Sequence, residues 1–109
     1  ETNAAGKTLG IWLMPDNQSR GMLETFLLFL APNLNDPVVK HAESACKEAK
    51  NIGAPYSSAH EDKAKIHTWL AWQDEPGRQL HEAVRDKVLT PKCAYAVPFV
   101  EWFRRVFSV

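Results

Sequence analysis

Leu9 to Met14 reads Leu-Gly-Ile-Trp-Leu-Met, with no polar side chain, and Pro15-Asp16-Asn17 closes it. A short unbroken apolar run bounded by turn residues suits a β-strand buried on both faces. Pro15 prevents a helix from running through it. A lone buried strand leaves its backbone N–H and C=O groups unpaired, at roughly 1–3 kcal/mol each. A run of that length would exceed a small domain's net stability of about 5–15 kcal/mol. Leu9–Met14 therefore demands a partner. Three candidates exist: residues upstream of Glu1, a second copy of the chain, or the weak apolar stretch Ala94–Val97. Upstream residues are the expected partner in nature. For the 109 residues alone, a homodimer through Leu9–Met14, or another fold of that segment, is expected.

The rest of the sequence predicts about five helices. Gly21 to Leu30 is dense in Leu, Phe and Met and should form a core helix ending before Pro32. Asp36-Pro37 offers a capping carboxylate and a proline at the first helical position. Val38, Ala42, Ala45, Ala49 and Ile52 follow at helical spacing, with Gly53 as the stop. Ser58-Ala59-His60-Glu61 matches a capping box. Its helix carries Ile66, Trp69 and Leu70 and should run to about Asp74. Another helix uses Leu80, Ala83, Val84 and Val88. The last starts near Pro98, with Phe99, Trp102, Phe103 and Val106 on its core face and Glu101, Arg104 and Arg105 on its wet face. The expected fold is mostly α, an α+β fragment with one buried strand near its N-terminus.

The length of 109 residues holds one domain, read as a linker over 1–8 and a single unit over 9–109. Thirteen Lys and Arg balance thirteen Asp and Glu, which argues against a protein that grips DNA by bulk charge. Cys46 and Cys93 fit no CxxC pattern, and with no signal peptide they point to a reducing, cytoplasmic setting. The longest apolar run, Phe26 to Ala31, is too short to span a bilayer, so no membrane partner is expected.

Three positions are candidates for chemistry. Asp16 lies just beyond the C-terminal end of the expected strand, the edge where open α/β sheets collect ligands. A Pro-Asp-Asn turn explains the same residues. Glu24 opens a very apolar helix, where it either meets a cation or simply complements the helix dipole. Asp16 and Glu24 together would flank a divalent cation, although two carboxylates make an incomplete site. Lys63 shares a helix face with His67 and would neutralise phosphate charge, or merely face water. Gly6-Lys7-Thr8 is no phosphate loop, because Glu1 stands where its first Gly belongs. His60-Glu61 and His81-Glu82 are no zinc motifs, because Ala64 and Arg85 occupy the second His positions.

Gly10 to Asn17, Gly21 to Leu27, Lys63 to Ala71, Glu75 to Gly77 and Phe99 to Phe103 together resemble a bacterial and archaeal family of unassigned function, the DUF 3226 type, which is Toprim-related. The resemblance implies that the chain is the C-terminal part of a Toprim-like α/β fold, the small sheet of primases, topoisomerases and OLD-type nucleases. It places that fold's Glu and Asp-x-Asp metal ligands upstream of Glu1. It makes Gly10 to Pro15 a strand beside the missing site. Glu24 is similar to an acidic residue near the metal, and Lys63 to a lysine held against the scissile phosphate. The implied parent activity is Mg²⁺-dependent hydrolysis of nucleic acid, with Asp16 and Glu24 toward the metal and Glu24 and Lys63 in catalysis. The fragment itself should be inactive and hold no cofactor. The competing expectation is a non-enzymatic helical module for protein interaction or dimerisation.

Overall fold

The computed structural model describes residues 5–31, 35–90, 92 and 94–109. Its helices are α1 (Leu23–Phe29), α2 (Pro37–Asn51), α3 (Glu61–Ala71), α4 (Leu80–Arg85) and α5 (Val97–Phe107). Short 3₁₀ turns at Ser58–His60 and Ala94–Ala96 lead into α3 and α5. Glu1, Pro32 and Cys93, which entered the sequence reading, lie outside the described residues.

The centre of the fold is α3, which packs against both α1 and α2. Ile66 and Leu70 on its inner face are fully buried and Trp69 nearly so. Phe26, Leu27 and Leu30 from α1 and its end, and Ala42 from α2, complete this cluster. Closure comes from the chain after α4. Lys87 adopts a left-handed φ of 61°, the Leu89 N–H reaches the Ala83 carbonyl at 3.0 Å, and the Leu89 side chain is sealed inside. The Thr90 N–H then donates to the Leu30 carbonyl at 2.8 Å, tying this turn to the end of α1.

Local chemistry sets the helix ends. Asp36 caps α2 by accepting from the Val38 N–H at 2.7 Å, with Pro37 in the first turn. The expected Ser58–Glu61 capping box does not form. His60 is the residue before α3, no side chain caps it, and Ser58 is spent in the 3₁₀ turn. α3 stops at Ala71 rather than near Asp74, and Trp72 begins the turn beyond it. Ile52 at the end of α2 is 89% exposed and Val38 42%, because the buried side of the helix runs through Val39, Ala42 and Cys46, about 100° away from Ile52.

The main correction concerns the N-terminal segment. Among the described residues there is no sheet, and the only β character is an isolated bridge at Thr8. Leu9–Met14 is not a buried strand. Leu9, Ile11 and Leu13 are 60%, 68% and 65% exposed, while Gly10, Trp12 and Met14 are half-buried. The physical reason is coverage on one side alone: α5 lies against the even-numbered residues, and nothing among the described residues covers the odd ones. Ala94–Val97 is no partner strand either, since Ala94–Ala96 is 3₁₀ and Val97 starts α5. The Toprim-like sheet finds no counterpart among the described residues.

The chain is extended for its size. Its radius of gyration is 16.4 Å, against about 13 Å for a compact domain of this length.

Candidate functional site

Residues 9–14 alternate in and out with a period of two, the signature of extended backbone. A Cβ on Gly10 would lie 2.3 Å from Val106 Cγ2 and 3.1 Å from Trp102, so α5 sits directly on the main chain there. Trp12 meets Phe99 edge to face at 5.3 Å and 85°, and Trp102 at 5.6 Å. Phe99 in turn packs on Phe26 at 5.2 Å, which joins this lobe to the helical core. The opposite side shows Leu9, Ile11 and Leu13 to solvent. At the end of the segment the Leu13 N–H donates to Asn17 Oδ1 at 2.8 Å, and the Asn17 N–H returns to the Leu13 carbonyl at 2.8 Å. Asn17 sits at φ 67°, a left-handed conformation that Asn tolerates well. Gly10, Ile11 and Trp12 have no backbone hydrogen-bond partner among the described residues.

Asp16 closes the turn beyond this segment. Its Oδ1 accepts from the Ser19 N–H at 2.7 Å and the Gln18 N–H at 3.0 Å, and its Oδ2 from the Ser19 hydroxyl at 3.0 Å. These bonds, the Ser19 N–H foremost and then the Gln18 N–H, hold its carboxyl below the ordinary Asp range. The carboxylate stays ionised, and most of its acceptor capacity is already spent on its own turn. Glu24 is half-buried in the first turn of α1, where the helix dipole favours a negative charge. Lys63 is exposed in the first turn of α3. Among the described residues, no hydrogen bond or ion pair joins Asp16, Glu24 and Lys63 to one another. Nor do any three His, Cys, Asp or Glu side chains gather in a way that would hold a metal.

The structure brings together a different polar group. Thr25 Oγ1 donates to Asp62 Oδ2 at 2.6 Å and accepts from the Met22 N–H at 3.0 Å. Lys65 Nζ lies 3.8 Å from Asp62 and 3.6 Å from Glu43, linking α1, α3 and α2. Beside it Arg20, Gly21, Met22, Ser58 and Glu61 line an open depression of about 620 Å³. The i, i+3 spacing of Asp62 and Lys65 was a usable signal in the sequence. Thr25 gave none, because its partner lies 37 residues away. Of the two lysines in α3, Lys65 is the one that lies within ion-pair distance of carboxylates among the described residues.

No helix among the described residues is long and apolar enough to cross a membrane. Among the described residues the architecture is that of a small, mostly helical unit of five helices with one half-covered extended segment. The chain belongs to the family described as protein of unknown function DUF3226, whose pattern it matches over residues 1–108. No curated protein and no solved structure matches it.

Proposed function

We propose that this domain is a protein-interaction module that offers residues 9–13 to a β-strand of its partner, with α5 as the rigid backing. The carrying observation is the period-two exposure of Leu9, Ile11 and Leu13, each near two-thirds open, on a segment anchored through its other face. Apolar side chains in a row, beside main-chain groups at Gly10, Ile11 and Trp12 that lack partners among the described residues, favour strand addition. No charged side chain lies between Thr8 and Pro15, which suits a neutral partner strand. The loose overall dimensions agree with a surface made to be covered.

The test uses a synthetic strand peptide of alternating Val and Thr. Titrated into the labelled protein, it is expected to shift the amide resonances of Gly10, Ile11 and Trp12, and Ile11→Pro, which deletes an N–H, should abolish the effect. Shifts confined to α2 and α3 would sink the reading.

The second reading is the implied Mg²⁺-dependent hydrolysis of nucleic acid by a longer Toprim-like parent. It draws on the resemblance and on an ionised Asp16 at the C-terminal end of the extended segment. The open depression beside Arg20 gives a polymer somewhere to lie. It requires Mg²⁺- or Mn²⁺-dependent cleavage that Glu24→Gln and Lys63→Met each reduce. Cleavage indifferent to both variants removes these residues from the mechanism.

A further inference from the structure

We propose that the depression between the start of α2, the end of α3 and the turn after α4 binds a free aromatic amino acid. The ligand's ring lies on Trp72, its ammonium faces Asp36 and its carboxylate faces Lys87. None of residues 9–14 lines this depression, so the site stands apart from the interaction reading above.

The walls meet here for local reasons. Asp36-Pro37 starts α2 and puts Val38 and Val39 on one side. α3 stops at Ala71, so Trp72 falls in the turn beyond it and stays 45% exposed, while Trp69 is drawn into the core. Lys87, at a left-handed φ of 61°, turns the chain after α4 and brings Val88 to the remaining side. The space between them is about 420 Å³, within the roughly 300–1,000 Å³ of small-molecule sites.

Trp72 is braced. The His41 ring stacks on it, with centroids 5.4 Å apart and 27° between the planes. His41 is not among the residues that line the depression, so the imidazole holds the indole from outside it. An aromatic ring already supported by a neighbour accepts another ring with little further loss of side-chain freedom.

Opposite charges line the same space. Asp36 Oδ1 accepts from the Val38 N–H at 2.7 Å, and Oδ2 has no hydrogen-bond partner among the described residues. Neither Asp36 nor Lys87 forms an ion pair among the described residues, with the other or with anything else. A simple aromatic acid answers Lys87 and leaves Asp36 unmet, and an aromatic amine does the reverse. An α-amino acid carries both charges on one carbon and an aromatic side chain for Trp72. Residues inside a peptide carry neither charge, so the free amino acid is the ligand that meets all the groups present.

The test titrates L-tryptophan into the isotopically labelled protein, beside tryptamine, which lacks the carboxylate, indole-3-propionate, which lacks the ammonium, and indole, which lacks both. L-Tryptophan is expected to shift the Trp72 indole N–H and the methyls of Val38, Val39 and Val88. It should bind about fivefold more tightly than either singly charged compound. Asp36→Asn keeps a capping side chain at the start of α2. It should remove the advantage of L-tryptophan over indole-3-propionate and keep the advantage over tryptamine. Lys87→Gln should do the opposite, and Lys87→Arg should restore binding. Trp72→Ala should abolish binding of every compound. Indole binding as tightly as L-tryptophan overturns the proposal, and so does a ranking that either charge variant leaves unchanged. Shifts that fall outside the depression, or no shift at millimolar L-tryptophan, overturn it as well. Each of these results leaves the strand-peptide test of residues 9–13 untouched.

Discussion

The core around α3 and the lobe made by residues 9–14 and α5 use similar residues to different ends. In the core Ile66, Leu70 and Leu89 are fully sealed, and the cluster closes on itself through Ala83 and Ala96. The lobe is richer in aromatic rings, yet no residue of α5 is fully buried, and Phe103 and Phe107 remain 43% and 59% exposed. Apolar content therefore does not decide which part of a small chain is finished. Enclosure does, because only apolar area removed from water stabilises the fold. The core has neighbours on every side, whereas the lobe has them on one.

The largest expected effect belongs to the core. Leu70→Ala should cost about 2–5 kcal/mol in urea unfolding, because the vacated space is enclosed on all sides. A loss below 1 kcal/mol would erase the contrast between the regions. Gly10→Val should cost about 1–3 kcal/mol, since even a Cβ meets Val106 at 2.3 Å and α5 must shift to admit more. Its unfolding slope should match that of the parent protein if the lobe unfolds with the core, and fall if the lobe detaches first. Ile11→Lys should stay within about 0.5 kcal/mol of the parent, because the side chain is 68% exposed. A large destabilisation there would mean that the odd-numbered face is covered in solution.

The smallest effect is a titration. Asp16 has a folded pKa below its unfolded value, so its contribution is present above the ordinary Asp pKa of about 3.9. That contribution is lost as the pH falls through the lower folded value. Carboxyl NMR should show a midpoint below that of an ordinary Asp. Ser19→Pro, which deletes the donor that contributes most, should move it back up.

Legibility in the sequence followed how local the cause was. The start of α2 was plain at Asp36-Pro37, because a cap is a contact between neighbours. The burial of Ile66, Trp69 and Leu70 was plain from their spacing. The Ser58–Glu61 motif misled because the same letters serve a 3₁₀ turn. Leu9–Met14 misled more deeply. Its letters state that two faces are apolar, but they do not state what lies beside each face. At the candidate site, the turn chemistry of Asp16 was readable for the same local reason. Thr25 was not, because its role arises only when α1 and α3 meet.

Gly10 carries one more consequence. With no side chain between them, the main chain is itself the seat on which Val106 and Trp102 rest. Ordinary packing has rotamers that give way before the backbones do, and here that compliance is missing on one side. The absence of a side chain at position 10 therefore sets how closely α5 can lie, and any larger residue there would hold the helix off the main chain.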